Sequence, residues 1–325
     1  MKGNGSKVIN LKDAVAAYLF DGAHISIGGF TVNRNPMAAV HEIIRSGVRH
    51  LHMYVHSNGQ GVDELIGAGC VSSLEIAYGA NGRFAPTCVR FRKAVEQGTV
   101  DIEDYTNYQM NLRFLAGAMG VPFLPCRSSL GTDIVNTWGF SAQKRKHDPK
   151  FPDTKLEVLD NPFGQWADTS KVVLVPAINP DVTFIHVQEA DKQGTCKIMG
   201  LSFGDVEQAK ASKRLVVTCE KLVDTETMRR HPEQNQIPGI YVDAVVQVPY
   251  GAYPTACYRY YDYDPSYLHE YFRDARDDTH NEQNRQKHVY DLDGHQDLLE
   301  LVGEQRLSRI QADPETGYAC NLQRV

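Results

Sequence analysis

Two adjacent glycines, Gly28 and Gly29, interrupt the apolar run in the stretch DGAHISIGGFTVNRNP, which covers residues 21–36. A Gly-Gly pair at the end of a strand lets backbone N–H groups approach an anion or a developing oxyanion, because no Cβ atom stands in the way. A tight turn that packs a strand closely against a helix would need the same two residues. The pair is therefore a candidate either for binding charge or for packing.

Strand and helix patterns place this pair at the edge of a sheet. It follows a predicted strand, AHISI, and precedes a predicted helix, PMAAVHEIIRSG, for which Asn35 is the expected N-cap and Gly47 the end. Further strands, LHMYV and SLEIAY, run into the glycine-rich loops HSNGQGVD and GANGRF, and helices follow. This alternation predicts βαβ units, so the fold class is α/β, with an open, mainly parallel sheet flanked by helices.

The second half of the chain predicts more strands and then helices. KVVLVPAI, DVTFIHV, RLVVTCE and YVDAVVQV are rich in β-branched residues, as expected of strands buried on both faces. We predict an α/β domain over residues 1–264, with an excursion from the sheet at about residues 140–170, and a C-terminal helical extension over residues 265–325. Tyr267, Tyr271 and Phe272 of the extension would suit subunit contact, or packing on the chain's own domain.

Composition and charge exclude several classes of protein. The formal net charge of -6 provides no basic field for phosphates, so no nucleic acid partner is expected. No apolar run approaches the roughly 20 residues of a membrane helix, and the N-terminal MKGNGSKVIN lacks the apolar core of a signal peptide. We therefore expect a cytoplasmic protein without a membrane partner.

Motifs for metals and common cofactors are missing or weak. The seven cysteines are scattered without a C-x-x-C pair, which predicts buried, reduced thiols. IGGFTV lacks the third glycine of a dinucleotide site, and no phosphate-binding G-x-x-x-x-G-K motif occurs. Alternation along HLHMYVH would put His50, His52 and His56 on one strand face, but we interpret them as surface or hydrogen-bonded core histidines rather than metal ligands.

Five segments in order resemble the family I coenzyme A transferases. They are DGAHISIGGFTVNRNP, SNGQGVDELIGAG, VPFLPCRSSLGTD, DVTFIHVQEADKQGT and IPGIYVDAVV, which span about residues 8–250. The resemblance implies the coenzyme A transferase fold, coenzyme A as a substrate and no tightly bound cofactor. One departure concerns the first signature, which usually has glycine two residues before its proline, where this sequence has Arg34.

The resemblance also implies a mechanism and a partner. In the family a glutamate carboxylate attacks an acyl-CoA to form an anhydride and then an enzyme-CoA thioester. A second acid then takes the coenzyme A from this thioester. That glutamate lies in a Ser-Glu-Asn-Gly motif, whereas HSNGQG runs directly from Ser57 to Asn58, and neither Glu64 nor Glu75 sits in such a motif. We therefore predict no catalytic nucleophile in this chain and a beta subunit that carries the glutamate, in a hetero-oligomer of alpha-beta pairs.

By the same resemblance this chain would supply the opposite wall of the site. The backbone amides of Gly28 to Phe30 and the side-chain amide of Asn58 are predicted oxyanion donors. Arg34, Arg83 and Arg127 are candidates for binding a distal substrate carboxylate, since a planar guanidinium suits a carboxylate. The complete set of predicted oxyanion and substrate-binding residues is Gly28, Gly29, Phe30, Ser57, Asn58, Asn81, Arg83, Arg127 and Ser128.

The predicted reaction is transfer of coenzyme A between an acyl-CoA and a small, glutaconate-like dicarboxylic acid. The first alternative is a hydrolase or decarboxylase of a glutaconyl-type thioester on the same scaffold, with His56 as a general base. The second is a non-catalytic module that binds a small acid. The partner's sequence separates transfer from the first alternative, because transfer requires the partner glutamate.

Overall fold

The computed structural model of the protein describes residues 5–320 and residue 322. Its strands are β1 (His24–Ile27), β2 (Leu51–Asn58), β3 (Val71–Gly79), β4 (Asp101–Asp104), β5 (Phe123–Cys126), β6 (Glu157–Asp160), β7 (Lys171–Pro176), β8 (Val182–Asp191), β9 (Cys196–Lys197), β10 (Leu215–Val223), β11 (Asn235–Ile237) and β12 (Ala244–Gln247). Its α-helices are α1 (Leu11–Tyr18), α2 (Met37–Ser46), α3 (Gln60–Gly67), α4 (Val89–Gln97), α5 (Asn107–Met119), α6 (Ala142–His147), α7 (Asp205–Ala211), α8 (Thr225–Arg230), α9 (Pro265–Asp274), α10 (Asp278–Arg285), α11 (His295–Val302) and α12 (Glu304–Ile310).

The predicted open, mainly parallel sheet is confirmed. Among the described residues, seven strands pair in parallel in the order β12, β10, β8, β1, β2, β3, β4. The short strands β9 and β11 add antiparallel partners at the end of β8. Every residue of β1 and β2 is buried, as expected when helices cover both faces of a parallel sheet.

The start of α2 differs from the prediction, although its end does not. Gly47 adopts φ +74° and caps the C-terminus, because glycine tolerates the left-handed conformation. Pro36, not Asn35, is the N-cap residue. The Asn35 side chain instead accepts a hydrogen bond from the Gly61 amide (3.0 Å) and donates to the Thr31 carbonyl (3.1 Å), so it links the start of α3 to the loop after β1.

The glycine-rich loop predicted after LHMYV is mostly regular structure. β2 continues to Asn58 and α3 begins at Gln60, which leaves Gly59 as the connecting residue. A Cβ atom at Gly59 would lie 1.7 Å from Oδ1 of Asn81. Close approach of two chain segments therefore explains this glycine.

The prediction that KVVLVPAI belongs to the buried sheet is wrong. Its strand, β7, lies between β5 and β6 in a separate antiparallel sheet. Val173 and Val175 are buried, whereas the residues next to them in the strand are only partly buried, so this strand has one covered face. The excursion at about residues 140–170 supplies α6 and β6, and a buried ion pair between Arg145 and Glu103 (2.5 Å) attaches α6 to the residues of β4.

The C-terminal helices pack on the α/β domain. Tyr267, Tyr271 and Phe272 are at most 4% exposed and share a hydrophobic cluster with Cys88 and Tyr253. The prediction that these three side chains offer surface for subunit contact is therefore wrong. We propose that residues 265–325 are an extension whose stability depends on residues 1–264.

Two simpler expectations can also be compared with the structure. Six of the seven cysteines are buried and reduced, but Cys320 is exposed, contrary to the prediction for all seven. No helix within residues 5–320 and 322 is both long enough and apolar enough to cross a membrane.

Candidate functional site

The carboxyl ends of the central parallel strands gather several of the predicted residues. Gly28, Gly29 and Phe30 follow β1, Ser57 and Asn58 close β2, and Asn81 follows β3. Since these strands are parallel neighbours, all three chain segments meet at one edge of the sheet. Ligands of open α/β proteins bind at this edge.

The chain itself fills the space beside the two glycines. Gly29 has φ +87°, and a Cβ atom there would lie 2.6 Å from the carbonyl oxygen of Arg34 and 2.7 Å from that of Asn33. A Cβ atom at Gly28 would lie 3.1 Å from the carboxylate of Asp205. The packing interpretation of the pair is therefore sufficient to explain both residues.

The prediction that the amides of this loop are available as oxyanion donors is wrong for this conformation. The Gly28 N–H donates to the carbonyl of Phe184 (2.9 Å) as part of the sheet. The Gly29 N–H donates to Oδ1 of Asp205 (2.9 Å), and the Phe30 N–H donates to the carbonyl of Asn33 (2.8 Å). Each amide has a partner within the chain, so the loop contributes its shape to the site.

Asn58 and Asn81 are also internal rather than exposed to a substrate. Both side chains are fully buried. The Asn58 amide donates to the carbonyl of Gly28 (3.2 Å), and its oxygen accepts from the Val62 N–H (3.2 Å). The Asn81 amide donates to Oε1 of Gln60 (3.1 Å). The predicted role of Asn58 as an oxyanion donor is wrong because its hydrogen bonds hold the loop to α3.

Ser57 and Ser128 come together at the beginning of α5. The Ser57 hydroxyl donates to Oδ1 of Asn107 (2.6 Å), and the Ser128 hydroxyl lies 2.7 Å from that of Thr106. Thr106 caps α5 through a capping box with Gln109, which fixes this end of the helix. Asn107 is exposed beside Ser57, although the sequence analysis did not select it.

The three candidate arginines are not brought together. Arg127 is exposed, and its guanidinium donates to the carbonyl of Ala167 (2.8 Å). Arg83 lies over the rings of Phe84 and Tyr263, at 5.1 and 6.0 Å from their centres. It lines a cavity of about 920 Å³ between its loop and the C-terminal helices. Arg83 and Arg127 therefore have different surroundings, and within the part of the chain that the structure describes neither shares a partner with Arg34.

Arg34 is buried below the same loop. Only 3% of its side chain is exposed, and it donates to Oδ2 of Asp205 (2.5 Å) and to the carbonyls of His186 (3.1 Å) and Leu201 (3.0 Å). Its charge is therefore neutralised by Asp205. The prediction that Arg34 binds a distal substrate carboxylate is wrong because that position is filled by a carboxylate of the chain.

An aromatic cluster forms the accessible part of the edge. The rings of Phe30 and Phe203 stack with centres 4.6 Å apart and planes 10° apart, and the His56 ring lies 5.7 Å from Phe30. Burial lowers the pKa of His56, against the attraction of the Asp205 carboxylate, which favours the neutral imidazole at pH 7. Phe203 and Asp205 were missed by the sequence analysis, since no motif connects SFGD to residues about 175 positions earlier.

The three histidines of HLHMYVH do not form one strand face. His50 precedes β2, is exposed and has φ +59°. His52 is buried, and its Nε2 lies 2.9 Å from Oε1 of Glu75. The interpretation as one surface and one hydrogen-bonded core histidine therefore fits these two residues.

Comparison with known proteins identifies the family. Residues 8–248 match the family model described as Coenzyme A transferase. The chain belongs to the coenzyme A transferase family. Since this is a family of enzymes, the alternative of a non-catalytic binding module does not hold.

Three relatives show the range of reactions on this scaffold. The chain is 40% identical to the A subunit of glutaconate CoA-transferase from Acidaminococcus fermentans over 98% of both chains. The crystal structure of that transferase aligns with a TM-score of 0.92 over 97% of this chain and 99% of the other. The A subunit of 3-oxoadipate CoA-transferase from Pseudomonas knackmussii is 31% identical, over 84% of this chain and 89% of the relative. A crystal structure of the decarboxylase AibA/AibB is 29% identical, with a TM-score of 0.68, over 88% of this chain and all of the other.

The two glutamates nearest the missing transferase motif are both engaged in buried pairs. Glu64 bonds Nε2 of His41 (2.8 Å) and accepts from the side chain of Gln60 (2.6 Å). Burial opposes ionisation of Glu75, but Arg113 and then His52 overcome it and lower the pKa of Glu75 to about 2. In this transferase chain neither carboxylate is placed as a nucleophile at the sheet edge.

Proposed function

We propose that this chain is the non-nucleophilic subunit of a heteromeric coenzyme A transferase. It acts with a beta subunit whose Ser-Glu-Asn-Gly glutamate attacks the acyl-CoA, and the coenzyme A then passes to a small dicarboxylic acid related to glutaconate. The observation that carries this proposal is the direct junction of Ser57 and Asn58 at the end of β2, with Glu64 and Glu75 held in buried pairs. The similarity to the A subunits of two CoA-transferases supports it.

This chain would supply the opposite wall of the site. The stacked rings of Phe30 and Phe203 form an apolar surface, and Ser57 with Asn107 forms a polar one at the start of α5. The exposed Asn107 amide replaces the buried Asn58 amide as the candidate hydrogen-bond donor to a substrate oxygen. A well-placed donor of this kind stabilises an oxyanion transition state by about 3 kcal/mol.

The position of the nucleophile is tested by covalent labelling. The assembled enzyme is incubated with an acyl-CoA, the glutamyl thioester is reduced with borohydride, and the modified residue is mapped by mass spectrometry. We expect the label on the partner and none on this chain. Label on any glutamate of this chain, or turnover by this chain alone, would contradict the two-subunit proposal.

The substrate class is tested separately by competition between acceptors. Short dicarboxylic acids, with glutaconate as the reference, should be used in preference to acetate and butyrate. The motivation is the 40% identity to the glutaconate enzyme, because none of the three candidate arginines carries the assignment by its geometry. Efficient use of acetate or butyrate with no use of a dicarboxylate would show that the assignment is wrong.

Hydrolysis or decarboxylation of the thioester is the second candidate, and one observation favours it. His56 lies beside Phe30, and burial lowers its pKa, which favours the neutral imidazole that can accept a proton. The similarity to a decarboxylase adds support. A partner without the glutamate, together with loss of product in His56→Gln, would favour this reaction. Normal transfer by His56→Gln would exclude a proton-transfer role for this histidine.

A further inference from the structure

The Gly-Gly loop is tied to a distant segment of the chain by one buried ion pair. Asp205, the first residue of α7, is 1% exposed in its side chain and accepts from the Gly29 N–H with Oδ1 and from Arg34 with Oδ2. Arg34 also donates to the carbonyls of His186 and Leu201. Four hydrogen bonds therefore connect the two ends of the loop to the first residue of α7, to the middle of β8 and to Leu201 before α7.

The backbone conformation of Arg34 does not favour arginine, so the contacts of its side chain must explain why arginine stands at this position. Its φ of +51° belongs to the left-handed region that favours glycine. The family signature usually has glycine here. Arginine is unfavourable in this backbone conformation, and its buried hydrogen bonds and ion pair offset that cost. Burial of a charged group is costly unless an opposite charge and hydrogen bonds compensate for the lost water, and Arg34 supplies both to Asp205.

We propose that Arg34 and Asp205 are positioning residues of the transferase. Their ion pair holds the 201–205 segment against the Gly-Gly loop and thereby sets the distance between Phe30 and Phe203, whose ring centres lie 4.6 Å apart. Both side chains are at most 3% exposed and bond to groups of the chain itself. The inference rests on the proposed function only in assigning this aromatic pair to the wall of the site.

Removing one charge alone would leave the other buried without a partner, so the test uses a neutral pair. In Arg34→Met combined with Asp205→Asn, the asparagine oxygen still accepts from Gly29, while all links from the Arg34 side chain are lost. The matched control is Arg145→Met combined with Glu103→Gln. That pair has the same 2.5 Å separation and is also at most 3% exposed, but it attaches the excursion helix α6.

The assembled enzymes are compared by kcat, by thermal midpoint and by hydrogen exchange of peptides that cover residues 26–34. We expect the Arg34 and Asp205 double variant to lose about tenfold or more in kcat, since displacement by about 1 Å is enough for such losses. Exchange of its loop should rise. The control should retain kcat within about twofold, while its thermal midpoint falls by about as much as that of the Arg34 and Asp205 double variant.

Arg34→Lys provides a second variant in case the double variant does not fold. Lysine keeps the charge beside Asp205 but cannot bond the two carbonyls in the same geometry, so a several-fold loss of kcat is expected, with a smaller fall in midpoint than in the double variant. A folded double variant or Arg34→Lys with kcat within about twofold and unchanged exchange would overturn the proposal. If the unchanged enzyme fails to label its partner, the proposed function fails, while the exchange measurement still decides whether the pair holds the loop.

Discussion

Replacing Gly29 by alanine should destabilise the protein much more than replacing an equally left-handed glycine elsewhere. Gly47 is the matched control, with φ +74° against +87° for Gly29, and a Cβ atom at Gly47 meets nothing within 4 Å. Both substitutions force a residue with a Cβ atom into the left-handed region, which costs about 1 to 2 kcal/mol. The difference between the two variants therefore isolates the steric effect at Gly29.

That steric effect follows from the contacts of the added methyl group. At Gly29 the Cβ atom would lie 2.6 Å from the Arg34 oxygen and 2.7 Å from the Asn33 oxygen, both of which belong to the backbone. Relief requires movement of the loop, and overpacking of this kind costs roughly 1 to 3 kcal/mol. Adding the backbone cost, we expect a total of about 2 to 5 kcal/mol for Gly29→Ala.

The assay is thermal unfolding of the assembled enzyme together with its turnover. At about 2 °C per kcal/mol for a chain of this size, Gly47→Ala should lower the midpoint by about 2 to 4 °C and Gly29→Ala by about 4 to 10 °C. Turnover should fall about tenfold or more in Gly29→Ala alone, because the loop lies beside the proposed site. Equal midpoints for the two variants would refute the steric argument, and a normal midpoint with lost turnover would restore the interpretation that a ligand approaches Gly29.

Three further predictions concern single side chains. Burial raises the pKa of Asp63 to about 7, so the stability that its protonated form contributes is fully present below about pH 4 and is lost as the pH rises through 7. Asp63→Asn should remove this pH dependence of the unfolding free energy, which amounts to at most about 4 kcal/mol. The measurement is the thermal midpoint of the variant and of the unchanged enzyme from pH 4 to 8. Phe203→Ala should raise KM for the acyl-CoA several-fold with little change in midpoint, since its ring forms half of the stacked pair with Phe30; an unchanged KM would remove this pair from the wall. Arg127→Ala should leave KM for the acid within about twofold, because the Arg127 guanidinium is engaged with the Ala167 carbonyl, and a large rise in KM would return Arg127 to the site.

Much of the central sheet could be predicted because its signals are local. The alternation of apolar strands with helical spacing predicts βαβ units, and the helix predicted from PMAAVHEIIRSG ends at Gly47 as expected. The strand β7 shows where such reasoning fails. Its valines and leucine match a fully buried strand in composition, but tertiary pairing with β5 and β6 leaves one face partly exposed.

The candidate site was less predictable because its key contacts are remote in sequence. Asp205 is separated by 176 positions from Gly29 and by 171 from Arg34, and no local pattern distinguishes it from other acidic residues in the first turn of a helix. The polar residues chosen from the loops, such as Asn58 and Asn81, have side chains whose direction depends on register at the strand end. In the structure both side chains are buried, and their hydrogen bonds hold the loops that carry the exposed residues.

The glycine pair explains why a sequence alone leaves packing and ligand binding unresolved. A position without a Cβ atom has the same signature whether a substrate or the chain's own backbone approaches it. Here the decision comes from Arg34, whose backbone carbonyl occupies the space beside Gly29 and whose guanidinium binds the carboxylate that faces Gly28. Arg34 and the carboxylate that it binds therefore occupy the space beside both glycines. The proposed wall of the site therefore consists of the aromatic pair and of Ser57 with Asn107, and the loop amides take no part in it.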